Sequence, residues 1–229
     1  KEIADIKSRL VIFVLYGQTP NHGTTMMIGA AELADHLKKN FSNLKIGFIG
    51  SHTSALPKEV IKLNYVDFAF INEGLIALLS LLKTDLKNNL EHVPGIWFKD
   101  DEGNPKKGGS GQIVPTEKMD IMMPGYAWDL LPKNNKPFDK YRAHFWHANF
   151  LHEKRTPFAA IYTSLGCQFT CNFCMINIVN RVSHENNISS ADSAKMRFWS
   201  PDFILKEFEK LYELGVRTLR ITDEMFFLN

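Results

Sequence analysis

The sequence predicts an α/β protein, with a doubly wound parallel sheet followed by the start of a second set of strand–helix units. Three observations carry that expectation. A strand-like apolar run, a glycine-bearing loop and a helix-like segment follow one another three times between Leu10 and Leu82, the alternation that builds a parallel sheet covered by helices. The first run, LVIFVLY from Leu10 to Tyr16, is uninterrupted and rich in β-branched and aromatic residues, as a strand buried on both faces should be. A similar order of strand, loop, helix and strand begins again at Pro157.

The chain of 229 residues has room for one large or two modest domains. With 45% hydrophobic and 23% charged residues it can form a substantial core. A net charge of +2 and the lack of a basic stripe argue against a nucleic-acid partner. No apolar run approaches the ~20 residues that span a bilayer, and the first residues lack the pattern of a secretory signal.

In order, the strand Leu10–Tyr16 ends in the loop Gly17-Gln18-Thr19-Pro20, and a helix follows over roughly Thr25 to Lys39, with Met26, Ile28, Leu33 and Leu37 among its apolar positions. The plan repeats with a strand at Lys45–Ile49, a Gly50-Ser51-His52-Thr53 loop and a short helix from Pro57 to about Leu63. A third strand, Phe68–Ile71, ends in Asn72-Glu73-Gly74 and leads into an apolar helix, Leu75–Leu82. In such sheets ligands sit beyond the carboxyl ends of the strands, so the three loops should share one edge. Pro94 to Val114 reads as a hairpin, GIWF and QIV about the turn-rich DDEGNPKKGGSG. The segment up to Pro132 is punctuated by proline and aromatic residues, and His144, His147 and His152 lie in an aromatic stretch suited to packing or substrate lining. The domain organisation expected is therefore 1–90 for the first sheet, 91–155 for hairpin and linker, and 156–229 for the first two units of the second domain.

Pro157–Ser164 is the expected first strand of that second domain. Further on, Ser200 is a suitable N-cap, with Pro201 at the first helical position and Asp202 in the first turn. Phe203, Leu205, Phe208, Leu211 and Leu214 give the helix its apolar positions, Gly215 ends it, and Val216–Thr222 is the next strand.

The chemistry is concentrated in YTSLGCQFTCNFCMINIVNR, Tyr162 to Arg181, which holds Cys167, Cys171 and Cys174, all the cysteines of the chain. An odd set of thiols at spacings of four and three cannot all form disulfides. Thiolate ligation selects zinc or iron–sulfur, and three protein ligands leave one metal position of a four-iron cluster open. A zinc site closed by a fourth ligand such as His184 is the alternative reading of the same residues.

The C-x-x-x-C-x-x-C spacing, with Phe173 before the last cysteine, resembles the radical S-adenosylmethionine (SAM) superfamily. The resemblance implies a [4Fe–4S] cluster on Cys167, Cys171 and Cys174, SAM chelated to the fourth iron with its adenine beside Phe173, and reductive cleavage of SAM to a 5′-deoxyadenosyl radical. It implies an electron donor such as flavodoxin or ferredoxin, a small-molecule substrate and a reducing cytoplasm. The acidic stop Asp223-Glu224, after the second strand, is similar to the family segment that contacts the SAM amino group. A whole barrel of this kind has about six strand–helix units, of which ~30 residues each leave room for two here, so a partial (βα)6 barrel is expected.

The run from Val11 to Leu82 is similar to the Rossmann-like cobalamin-binding domain that precedes many such barrels. That resemblance implies cobalamin contacts from Gly17 to Thr19, from Gly50, Ser51, His52 and Thr53, and from Glu73 and Gly74 after Asn72. It also implies a preceding strand and helix upstream of Lys1. Ser51 stands where the family pattern has a second glycine, Asn72-Glu73-Gly74-Leu75 replaces a double-acid turn, and no Asp-x-His-x-x-Gly signature offers a histidine to cobalt. Three functions follow: a cobalamin-dependent radical SAM enzyme, with C-methyl transfer as the commonest outcome; a radical SAM enzyme whose first domain binds no cobalamin; and a non-enzymatic zinc or redox module.

Overall fold

The computed structural model describes residues 2–16, 20–130, 158–169, 171, 174, 176 and 196–226. They fall into two compact units, one of Lys1–Ile113 with Gln168–Lys195 and the other of Val114–Cys167 with Met196–Asn229.

The first unit is a five-stranded sheet in the order β1-β2-β3-β4-β5. β1 (Leu10–Leu15), β2 (Lys45–Gly50) and β3 (Phe68–Phe70) are parallel, as the alternating pattern requires, with Leu15 opposite Gly50 and Ile49 opposite Phe70. Their carboxyl ends therefore align. β4 (Ile96–Lys99) and β5 (Pro105–Lys107) continue the sheet as an antiparallel hairpin. The sheet is thus mixed, and the hairpin assigned above to the linker belongs to it. Its return strand is Pro105–Lys107, where QIV was expected. The Asp100 carboxylate explains the tight turn, because its Oδ1 accepts from Asn104 N at 2.7 Å and Glu102 N at 3.2 Å.

Helices cover both faces. Ile46, Phe48 and Ala69 point to one, where α2 (Pro20–Asn40) and α4 (Pro57–Lys62) bury Met27, Ala30, Ala34, Leu37, Val60 and Ile61. Ile49, Phe68 and Phe70 point to the other, against Ala77 and Leu81 of α5 (Leu75–Leu81) and Leu86 and Leu90 beyond it. This is the two-residue period of a strand sorting side chains between two cores.

α2 begins at Pro20, earlier than expected, and its buried stripe is 27-30-34-37. Met26, Ile28 and Leu33 are exposed. The helical period allows one apolar face, and the alanines at 30 and 34 put the helix backbone close to the sheet. The Gly50-Ser51-His52-Thr53 loop is also corrected: Ser51–Ala55 is a helical turn, α3, directly after β2. The turn is possible because Gly50, at φ +153°, passes beside β1; a Cβ there would lie 2.3 Å from Leu15 O.

In the second unit β6 (Phe158–Ile161) pairs in parallel with β9 (Thr218–Ile221), and β7 (Ser164–Gly166) pairs antiparallel with β8 (Met196–Phe198). The expected strand Pro157–Ser164 is therefore broken at Tyr162–Thr163, and Met196–Phe198, for which the sequence carried no strand expectation, is a strand. α7 (Pro201–Glu213) starts as expected, with Ser200 Oγ accepting from Phe203 N at 3.2 Å. A further short helix, α6 (Met119–Met122), supplies Asp120, whose Oδ1 accepts from Ser200 N at 2.9 Å. The core of this unit is Ala159, Ile161, Leu211 and Val216, with Trp128, Phe208, Leu214 and Leu219 around it.

Candidate functional site

The carboxyl ends of β6 and β9 form the edge where a parallel pair presents its loops to a ligand. Thr222 closes this edge by donating from its backbone N to Ile161 O at 2.9 Å and from Oγ1 to the same oxygen at 3.0 Å. Asp223 comes next, and both its oxygens are engaged. Oδ1 accepts from Thr163 N at 2.7 Å, while Oδ2 accepts from Thr163 Oγ1 at 2.5 Å and from Ser164 Oγ at 2.7 Å. These three bonds draw the chain out of the β6 ladder and turn it into β7, which ends at the residue before Cys167. Asp223 thus ties the end of one strand to the start of the cysteine segment.

Glu224 and two tyrosines share the edge. Burial pushes the Glu224 carboxyl above its ordinary pKa, and the neighbouring Asp223 adds to the shift. The Tyr162 phenol is raised by burial and then by Glu224. Tyr126 Oη accepts from Tyr162 N at 3.3 Å. Burial raises its phenol too, opposed by that donated bond and reinforced by Tyr162, Asp223 and Glu207. Grouped perturbed titrations in one place are a mark of functional sites.

Sequence reasoning overlooked Tyr126 and Glu207, and read Arg197 only as the first residue of an R-x-x-S-P segment that opens a helix. Glu207 sits four residues from Phe203 and from Leu211, on the buried face of α7, with its side chain 3% exposed. Oε1 accepts from Lys210 Nζ at 2.5 Å, and its carboxylate lies over Gly125, where a Cβ would meet Glu207 Cδ at 2.6 Å. A charge within an apolar stripe was the signal available. Arg197, 4% exposed, donates from Nη1 to Val114 O at 2.8 Å and so fixes β8; nothing local in the sequence announces that.

No family model matches the chain. It is 24% identical over 209 residues to the uncharacterized methyltransferase PH0819 of Pyrococcus horikoshii, covering 90% of this chain and 39% of that protein. Among solved structures it superposes on the radical S-adenosylmethionine methyltransferase TsrM from Kitasatospora setae, with a TM-score of 0.58 at 13% identity over 96% of this chain and 38% of the other. The cobalamin-dependent S-adenosylmethionine radical enzyme OxsB, bound to aqua-cobalamin and SAM, gives a TM-score of 0.58 at 17% identity, over 98% of this chain and 27% of its own. The fold is shared with part of each of these two structures. The chain spans about two fifths of the curated relative and less than that of these structures.

Three thiols close together in the sequence are the donor type that zinc and iron–sulfur centres take. None is in a disulfide; Cys171 is exposed and Cys167 and Cys174 are partly so. Cys174 N donates to Cys171 O at 3.1 Å, a turn that spaces two ligands. Among the described residues, however, no group of three or more His, Cys, Asp or Glu side chains converges on a metal position. By residue type and number the three thiols are a donor set that fits a cluster. Phe173, Arg181, His184 and the His144, His147 and His152 trio lie outside the described residues.

The cobalamin-like edge of the first unit is less open than expected. Gly50, Ser51, Thr53 and Gly74 are buried, and only His52 and Glu73 of the expected contacts keep partly exposed surface. His52 Nδ1 is 3.1 Å from Thr24 Oγ1. Gly17 to Thr19 lie outside the described residues. A cleft of about 440 Å³ opens at the opposite end of this sheet, bordered by Lys7, Arg9, Asn40, Phe41 and Leu44, and has no part in this edge. Among the described residues no helix is long and apolar enough to cross a membrane.

Proposed function

We propose that the chain is the N-terminal part of a radical SAM enzyme, with a cobalamin-binding-like domain that takes in the β4–β5 hairpin, a linker after it, and residues 156–229 as the start of the catalytic barrel. The observation that carries this is the placement of the cysteine motif: Cys167 directly follows β7, within a fold shared with TsrM and OxsB. Cys167, Cys171 and Cys174 hold a [4Fe–4S] cluster, which supplies an electron for reductive cleavage of SAM. Phe173 flanks the adenine. Asp223 positions the turn that delivers the first ligand, and Glu224, the acid beside it, faces the SAM amino group. Cobalamin-dependent C-methyl transfer to a small molecule is the activity best supported, given the methyltransferase names of a sequence relative and a structural neighbour. Flavodoxin or ferredoxin would serve as electron donor, in the cytoplasm.

A second reading has specific support. The burial of Gly50, Ser51, Thr53 and Gly74 favours a radical SAM enzyme whose first domain holds the barrel in place without binding cobalamin. Titrating the full-length protein with cobalamin separates the two readings.

The deciding measurement is an anaerobic electron paramagnetic resonance spectrum of reconstituted, dithionite-reduced full-length protein, with and without SAM. A [4Fe–4S] signal that changes shape with SAM, and is lost in Cys171→Ala, supports the enzyme. Full activity of Cys171→Ala would falsify it, and iron-free protein carrying stoichiometric zinc would assign the cysteines to a structural site.

A further inference from the structure

We infer that the phenolic O–H of Tyr126 donates a hydrogen bond to a ribose or carboxylate oxygen of SAM bound at the β6–β9 edge; this deepens the proposed function and rests on it. Tyr126 comes from the segment before the barrel, which neither the cysteine motif nor the acidic stop includes. Its oxygen nevertheless reaches the first residue past β6, accepting from Tyr162 N at 3.3 Å. A phenol both accepts and donates. The accepting side is taken by Tyr162, and among the described residues no acceptor takes its proton. The residue as a whole is 42% exposed.

The hydroxyl is held in place from several directions. The Tyr126 ring lies 4.9 Å from that of Trp128, at 33°. Trp199 Nε1 donates to Met123 O at 2.9 Å, and Gly125 N donates to the same oxygen at 2.8 Å. The Glu207 carboxylate rests on Gly125, whose φ of +89° and missing Cβ permit that contact. A donor fixed this way loses little conformational freedom on binding. Asp223 spends its oxygens on Thr163 and Ser164, so Tyr126 supplies a neutral donor where the nearby acids offer acceptors. SAM carries oxygen acceptors on both its ribose and its carboxylate.

The test uses full-length protein with its cluster reconstituted anaerobically, and reads the SAM dissociation constant by equilibrium dialysis. Tyr126→Phe keeps the ring contact with Trp128 and removes only the oxygen. One hydrogen bond predicts about tenfold weaker SAM binding, with the reduced-cluster spectrum unchanged and the melting temperature slightly lowered, because Tyr162 N loses its acceptor. Equal SAM affinity in wild type and Tyr126→Phe overturns this assignment alone. A cluster-loaded wild type that binds no SAM overturns the enzymatic reading as well.

Discussion

Replacing Asp223 with alanine removes one acceptor group and strands three donors: Thr163 N, Thr163 Oγ1 and Ser164 Oγ. Hydrogen bonds to a charged group contribute about 1.5–3 kcal/mol each. Asp223 and Thr163 are half-buried, which puts their two bonds at or below the low end of that range. Ser164 is 3% exposed, so its hydroxyl loses its carboxylate partner with little access to water. The expected loss is about 3 kcal/mol in the stability of the second unit. Urea unfolding followed by circular dichroism should show it as a fall in midpoint of about 1–3 M, at a typical slope of about 1–3 kcal/mol/M. Hydrogen exchange gives a local check, since the Thr163 amide should exchange much faster in the variant. An unchanged midpoint together with unchanged Thr163 exchange would refute the clamp. The conservative Asp223→Asn keeps one carbonyl acceptor but turns an amide donor toward the remaining hydroxyls, so it should fall between wild type and alanine.

Two further outcomes follow from named contacts. Gly50→Ala places a methyl 2.3 Å from the backbone oxygen of Leu15, which cannot move without breaking the β1–β2 ladder; a loss above about 3 kcal/mol, or no folded first unit, is expected from thermal melts. For Glu224 the folded pKa is raised above the ordinary 4.5. The native state therefore binds more protons than the unfolded chain as the pH climbs through that value, and stability falls with rising pH. Glu224→Gln should flatten the melting temperature as the pH rises from about 4, and an unchanged pH profile would refute the assignment.

The parallel core was legible because burial on two faces writes continuous apolar runs, as in LVIFVL and KIGFIG, and because loops with glycine or asparagine separate them from helices. The Ser200 cap and Pro201 were readable for a local reason: the bond is made three residues away. What escaped depended on distant partners. The GSHT turn looks like a loop because its helical form needs Gly50 pressed against β1, a contact between residues 35 positions apart. The stripe of α2 was misplaced because alanines, which let the helix approach the sheet, carry a weaker apolar signal than the exposed Met26, Ile28 and Leu33. At the candidate site the acids after β9 stand where the strand's end marks them in the sequence, whereas Tyr126 and Glu207 join that edge only through contacts made across the fold. The cysteine spacing is legible directly in the sequence, but among the described residues the thiols do not converge.

Asn72 has a consequence for how the first unit comes together. It lies at φ +60° with no exposed surface, a conformation that costs a non-glycine residue about 1 kcal/mol. Its carbonyl accepts from Tyr16 Oη at 2.5 Å, and the preceding Ile71 N donates to Gly95 O at 2.9 Å. One turn thus joins the end of the first strand, the end of the third and the approach to the hairpin. Contacts between residues this far apart in the sequence form slowly, so this corner should be among the last parts of the sheet to form. A ligand seated on the strand ends would be held by the part of the domain whose order depends most on the rest of the chain having already folded.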